Sequence, residues 1–228
     1  MISLPAQVFE ISGADAAAFA HAQFSSDVLA LPHGQWQWSA WLSPQGRVRA
    51  FFALSRRAAD SIALTLRGGD AESLRAELSR FVFRAKVQLR ATTGPAAQTS
   101  KLDDIRAGIP EIGAELRDQL LPQWIGLDRF GAVSVNKGCY PGQEIMARLH
   151  FKGGNKRSLY RIGSDVPLPT GATLRDVRTG EEAGCVLQCA RAGSDRHEAL
   201  ASLIDAKAES ILRADPESGA IQQIEHFG

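Results

Sequence analysis

The residues equipped for chemistry cluster between Asn136 and Arg148, a stretch that reads NKGCYPGQEIMAR. It holds one of only three cysteines in 228 residues. Cys139 lies two residues from Lys137 and between Gly138 and Gly142, and Pro141 opens what reads as a short helix. Glu144 falls in the first turn of that helix, where the dipole favours a carboxylate, and Ile145 and Leu149 share one face. A thiol just ahead of a helix N-terminus and near a cation is biased towards thiolate, the form that attacks electrophiles and ligates metals. The glycines permit a tight turn or the close approach of a ligand. Two readings stand on these residues alone. One is a thiol poised for chemistry with Lys137 assisting it; the other is a small residue packed in a structural turn. His150 is the only histidine close in sequence, and nothing places it against Cys139, so a cysteine-hydrolase arrangement has little support.

Other candidates surround this core. From Arg148 to Arg161 the chain carries Arg148, Lys152, Lys156, Arg157 and Arg161 and no acid. Such a run is a solvated face or a rim for an anionic ligand. Trp36, Trp38 and Trp41 are either sheet-face residues or flat platforms for a ring. Trp41, beside the SPQG turn, and Trp124, ahead of the cysteine turn, are the stacking candidates. Arg106 interrupts an apolar run, either paired with Asp103 or Asp104 or facing a pocket. Cys185 and Cys189 are four residues apart in an apparent strand and are expected to share a face. No CxxC or histidine cluster accompanies them, so burial is expected and no resident metal is assigned.

The elements that must position these groups follow from periodicity. Residues 12–24 read as a helix with Ser12 as N-cap and Asp15 closing a capping box. WQWSAWLSPQGRVRAFFALSR reads as a hairpin, and Ser61 to Leu66 as a third strand. Asp70 caps a helix that carries Leu74, Leu78 and Phe81 on one face. Ala85 to Leu89 returns as a strand, and residues 91–100 read as a polar linker. Strands crossed by a helix predict an α+β layer. After Gly154, short strand-like runs alternate with turn residues to the end, which predicts a small β-barrel.

Composition bounds the rest. The chain is 44% hydrophobic and 22% charged, with 26 Lys and Arg against 25 Asp and Glu. A net charge of +1 argues against direct nucleic-acid binding except through a local basic surface. No segment reaches the ~20 apolar residues of a membrane helix. The N-terminus lacks the basic region and apolar core of a secretory signal. Three cysteines without a disulfide framework imply a reducing compartment, the cytoplasm, and a monomer is the expected state.

The segments DIRAGIPEIG (104–113), LPQWIGLDRFGAVSVNKGCYPGQEIMAR (121–148) and GGNKRSLYRI (153–162) resemble the YgfZ-type folate-binding proteins, relatives of the glycine-cleavage T-protein. SGADAAAFAHAQFSSDVLAL and WLSPQGRVRA are similar to the family's opening segment. The resemblance implies a T-protein-like α+β ring of subdomains around a central folate pocket, with a small C-terminal β-barrel. It divides the chain at 155/156. Residues 1–155 form a folate-binding-like region of two intertwined subdomains, the middle one at about 50–100 reduced, and residues 156–228 form the barrel. It implies tetrahydrofolate as cofactor, and as partners iron–sulfur client enzymes, including tRNA-modifying radical enzymes, or their assembly proteins. Cys139 takes the place of the signature cysteine and Lys137 that of its flanking lysine. Trp41, Arg106, Trp124, Tyr140, Gln143, Glu144 and Arg148 are the expected folate contacts. Two departures qualify the match. The chain is shorter than bacterial members, and Arg49 and Ala50 stand where aminomethyltransferases carry paired aspartates. Aminomethyl transfer needs such an acid, so it ranks second. A non-catalytic protein- or RNA-binding module using the basic run is the third possibility.

Overall fold

In the computed structural model, which describes residues 5–95, 99–215 and 221–227, the chain divides into two units that share its middle. The first takes Met1–Gln98, Arg117–Gln119 and Leu127–Lys152; the second takes Thr99–Leu116, Leu120–Gly126 and Gly153–Gly228. The first unit begins β1 (Ala6–Ser12), α1 (Ala16–Gln23), β2 (Trp36–Leu42), β3 (Val48–Ala58), β4 (Ser61–Leu66), α2 (Ala71–Leu78) and β5 (Gln88–Gly94). Helix α3 (Lys101–Arg106) opens the second unit and α4 (Gln143–Lys152) closes the first. The strands β6 (Arg157–Ser164), β7 (Thr173–Asp176), β8 (Glu182–Arg191), β9 (His197–Ile204), β10 (Leu212–Asp215) and β11 (Ile221–Phe227) complete the second.

The five strands of the first unit form one antiparallel sheet in the order β2-β3-β4-β1-β5. Period-two alternation sorts each strand between two faces. Phe52 and Leu54 of β3 join Phe9, Ile11, Ile62 and Leu64 on the face covered by the helices, with Phe19, Ala20, Leu74 and Leu78. Phe24 meets Phe52 edge-on at 4.9 Å. Each such fully buried phenylalanine contributes about 1.5–3 kcal/mol of hydrophobic stabilisation. The start of α2 is as expected. Asp70 Oδ2 accepts a hydrogen bond from Ser73 N at 2.7 Å, a cap worth ~1 kcal/mol. These bonds hold the Asp70 carboxyl below the ordinary carboxylate range.

Three local expectations are corrected. Ser12 does not cap α1, because it is the last residue of β1. Gly13, at φ +123°, turns the chain so tightly against the Lys86 carbonyl that any side chain would collide with it. Asp15, the N-cap by position, makes no cap bond and instead accepts from Lys86 N at 2.7 Å. The strand expected at 85–89 runs from Gln88 to Gly94, so part of the polar segment 91–100 is sheet. Threonine and alanine suffice there because no residue of β5 is buried.

In the second unit, β10-β11-β6-β9-β8-β7 close into a barrel, as the turn-punctuated runs predict. Ile162, Leu174, Val186, Ala201 and Leu203 fill its interior. Cys185 and Cys189 do not share a face. The register of β8 against β9 shifts between Val186 and Gln188, so Cys185 pairs with Ser202 and Cys189 with Ala199. An extra residue inverts the alternation beyond it. Cys189 therefore packs on the barrel core beside the face of Ala199 and Ala201, whereas Cys185 takes the opposite face.

Candidate functional site

The cysteine turn is built by tying down its neighbours. Upstream, Ser25 continues the edge of β2. Its N–H donates to Ala40 O at 2.9 Å and its hydroxyl accepts from Ala40 N at 3.0 Å. The same hydroxyl donates to Ala132 O at 2.6 Å, and Ser134 N donates to Ser25 O at 2.8 Å. Tyr140 OH then donates to Ser134 O at 2.8 Å, which folds the motif back on this anchored segment. Gln143 Nε2 donates to Lys137 O at 3.2 Å and closes the turn across its own start. Pro141 and Gly142 precede the first residue of α4, Gln143, so the proline sits just outside the helix it was expected to open.

Gly142 answers what the glycines are for. Its φ is +80°, and a Cβ there would lie 2.6 Å from Ser43 O and 2.8 Å from Gly46 Cα. The close approach it permits is of another backbone, the SPQG turn between β2 and β3, and Gly46 packs in return against Ile145 of α4.

Lys137 is 8% exposed. Its ammonium donates to the carbonyl of His21, in the last turn of α1, and lies 4.7 Å from the centre of the Tyr140 ring. A helix C-terminus has unsatisfied carbonyls, and a cation there completes them. Burial lowers the Lys137 pKa to about 8, with Asp27 opposing the fall in part. Burial and then the Lys137 charge also lower that of His21, whose Nδ1 is 3.4 Å from Asp27 Oδ1. Burial pushes Tyr140 up to about 12. Amid this, Cys139 is exposed. Lys137, Tyr140, Gly142 and Gln143 all hold the turn; the cysteine is presented by it.

The remaining candidates fall in different places. Glu144 and Arg148 lie exposed on α4. Trp41 is corrected: it is 1% exposed, in the core, with Arg49 and Arg117 at 5.1 and 5.8 Å from its ring and Phe81 edge-on at 6.3 Å. The register of β2 against β3 pairs it with Ala50 on the helix-covered face. Trp36 and Trp38 take the other face. Trp38 stacks on Phe51 at 4.9 Å, and Trp36, 56% exposed, meets Trp38 edge-on at 5.4 Å. Arg106 and Trp124 belong to the second unit. Arg106 pairs with neither Asp103 nor Asp104 as its main partner but with Glu198 of β9, at 2.8 Å. Trp124 lies under Arg157 at 4.9 Å, and Arg157 bonds Glu182 at 2.7 Å. Arg161 pairs with Glu198 and Glu225, so part of the basic run is consumed within the barrel.

Residues that the sequence reading left out complete the site. Ser25 and His21 carried no signal, since each acts through a backbone contact distant in sequence. Asp118 is the only described non-glycine residue with positive φ, at 58°. It accepts from Arg49 Nε at 3.1 Å, so a carboxylate from a distant segment meets the arginine that stands where the aminomethyltransferases' acids were expected.

No family model matches the chain. It is 37% identical over 144 residues to the tRNA-modifying protein YgfZ of Cronobacter sakazakii, covering 59% of this chain and 42% of that protein. It is 37% identical over 135 residues to the protein of the same name from Edwardsiella ictaluri, covering 57% and 40%. An uncharacterized protein of Haemophilus influenzae is 25% identical over 223 residues, covering 76% and 80%. The match thus spans about two fifths of the YgfZ relatives' length and four fifths of the Haemophilus protein's. Among solved structures, the glycine cleavage system aminomethyltransferase T from Bartonella henselae superposes with a TM-score of 0.66 at 15% identity, over 96% of this chain and 82% of that one. At that identity the likeness is one of fold. No described helix is long and apolar enough to cross a membrane. The chain is thus similar to the YgfZ proteins over part of their length and shares its fold with the glycine-cleavage aminomethyltransferase.

Proposed function

We propose that this chain is a cytoplasmic, monomeric, tetrahydrofolate-binding accessory protein that supports assembly or repair of iron–sulfur clusters in client enzymes, among them enzymes that modify tRNA. The observation that carries this reading is the motif turn, which keeps Cys139 exposed while burying or bonding Lys137, Tyr140, Gly142 and Gln143. An exposed thiol on a fixed backbone suits a partner reaction: transient ligation of iron, or thiol exchange with a client. The relatives named YgfZ direct it to tRNA modification, and the aminomethyltransferase fold directs it to folate. In this reading residues 1–155 supply the folate-binding-like region and residues 156–228 the barrel.

The residues fit a pterin in part. Trp36, resting edge-on against the Trp38–Phe51 stack, offers an exposed ring, whereas Trp41 is closed off by its arginines. Glu144 and Arg148, both exposed on α4, are available to polar groups. Bound tetrahydrofolate would supply a one-carbon carrier. Aminomethyl transfer remains the second reading. Asp118, the carboxylate that meets Arg49, already accepts a hydrogen bond from that arginine, which disfavours it as the acid.

Calorimetric titration with tetrahydrofolate tests the cofactor, and client activity in cells tests the thiol. Trp36→Ala should weaken binding about tenfold, the loss of one ring-stacking contact. Cys139→Ala should leave binding intact and abolish support of the cluster enzymes. No binding by the wild-type chain removes folate from the proposal; full client activity with Cys139→Ala removes the thiol.

A further inference from the structure

The connection from α2 to β5 is the most unusual surface of the first unit outside the cysteine turn. It reads SRFVFRAKVQLR from Ser79 to Arg90. Between Leu78 and Leu102 there is no acid, while Arg80, Arg84, Lys86, Arg90 and Lys101 are cationic. Two phenylalanines stand out from it, Phe83 at 87% exposure and Phe81 at 46%. A phenyl ring left in water forgoes ~2 kcal/mol that burial would supply.

This display is built rather than slack. Ser79–Phe81 is a short 3-10 turn. Phe83 N then donates to Phe81 O at 3.1 Å across Val82, whose φ of −82° and ψ of 79° are those of an inverse γ-turn. Val87 N donates to Ala85 O at 2.9 Å in the same way, and Lys86 N is held by Asp15 Oδ2. The inner edge of Phe81 meets Trp41. The loop thus holds Phe83 outward by its own hydrogen bonds. Arg84 lies 5.5 Å from the centre of that ring. Arg90 is paired with Glu10 and Lys101 with Glu111. The side chains of Arg80, Arg84 and Lys86 form no ion pair among the described residues, and Asp15 spends its carboxylate on the Lys86 backbone.

We propose that this face binds single-stranded nucleic acid, with Arg80, Arg84 and Lys86 on phosphates and Phe83 stacked against a base. The outstanding Phe83 ring is bracketed by cations, Arg80 before it and Arg84 and Lys86 after it, so a base stacked on the ring has cations available to the phosphates on either side. An interfacial membrane anchor instead buries a broad apolar face, which this loop does not supply, since Phe83 stands out alone and the inner edge of Phe81 is spent on Trp41. The near-neutral chain makes such binding local to this surface.

The test is fluorescence anisotropy of the full chain with labelled oligouridylate of about 12 nucleotides, within the range of single-strand site sizes, between about 50 and 200 mM salt. Phe83→Ala should weaken binding about tenfold, and its exposure means the fold is kept. Arg80→Ala with Arg84→Ala should reduce the slope of log affinity against log salt by about 1.4, the contribution of two phosphates. Three results would overturn the proposal: no binding by the wild-type chain, equal binding by Phe83→Ala, or equal competition by polyglutamate, which has charge but no bases. Phosphatidylserine vesicles captured through Phe83, with RNA binding unaffected by Phe83→Ala, would assign the face to membranes and overturn it too.

Discussion

The three cysteines are held in two ways. Cys185 and Cys189 sit in β8, where a hydrogen-bond ladder to β9 fixes the backbone at both, with β7 on the other side of Cys185, and burial pushes both thiols up. Arg157 beside the first, and the Leu168 N–H donated to the second, offset this only partly. Cys139 has no ladder. Its backbone is fixed by side chains reaching into the turn: Lys137 to α1, Tyr140 to Ser134, Gln143 to Lys137, and the bare backbone of Gly142 against the Ser43–Gly46 turn. A strand leaves its sequence free to be merely apolar. A turn without a ladder must specify nearly every residue, and the residue left unspecified by contacts is the one available for chemistry.

The sharpest break in this comparison is at Gly142. Alanine there would meet Ser43 O and Gly46 Cα well inside van der Waals distance, on a backbone at φ +80°. Strain and overpacking together should cost about 3 kcal/mol or more. We expect Gly142→Ala to lower the urea midpoint markedly, while the analogous barrel change Ala201→Gly, which keeps the ladder, leaves Cys139 accessible at its native rate. Equal stability of Gly142→Ala and wild type would mean the two turns do not pack.

Lys137 gives the next largest effect, visible in pH. Its folded pKa, about 8, lies below the ~10.4 of an unfolded lysine. Below pH 8 both states hold the proton and the burial cost is present in full. As pH rises from about 8 to 10.4 the unfolded chain binds more protons than the folded one, so stability rises with pH. The gain approaches about 3 kcal/mol at most. Lys137→Met should remove this rise, so urea unfolding at about pH 7 and about pH 10 should show the wild type gaining on the variant. Groups that do not feel the Lys137 charge cancel in the difference, and the two pH values lie above the usual histidine range, which keeps the coupled His21 largely out of it. Parallel profiles would show Lys137 solvated and the turn held otherwise.

These contacts also mark how far the sequence carries. The hairpin of Trp36 to Ala58, the Asp70 cap and the six barrel strands were legible because each depends on neighbours in sequence: alternation, a capping side chain, a turn between runs. The placing of Trp41 in the core and Trp36 in solvent was not, since both alternate properly and only the pairing of β2 with β3 decides which face the helices cover. The single extra residue in β8 that separates Cys185 from Cys189 has no signature in side-chain type. In the site, the motif itself was legible, and so was the exposed cysteine as one of two readings. Its holders were not: the His21 carbonyl and the Ser25 hydroxyl act across separations of 116 and 107 residues through groups whose partners the sequence does not specify.

The smallest effect separates holding a turn from presenting a thiol. Tyr140→Phe removes one hydrogen bond, that from the phenol to Ser134 O, and keeps the ring beneath Lys137. The net loss should be about 1 kcal/mol, with some addition because the Ser134 carbonyl is left without that donor. Lys137, Gln143 and Gly142 still fix the backbone, so iodoacetamide should label Cys139 at nearly the wild-type rate. Cys185 and Cys189, half-buried in the barrel, should remain slow in both proteins. If instead Cys139 labelling changes severalfold while stability does not, the phenol positions the thiol directly. The turn would then be a site whose reactivity is set by Tyr140, and the division between residues that hold and the residue that reacts would have to be redrawn.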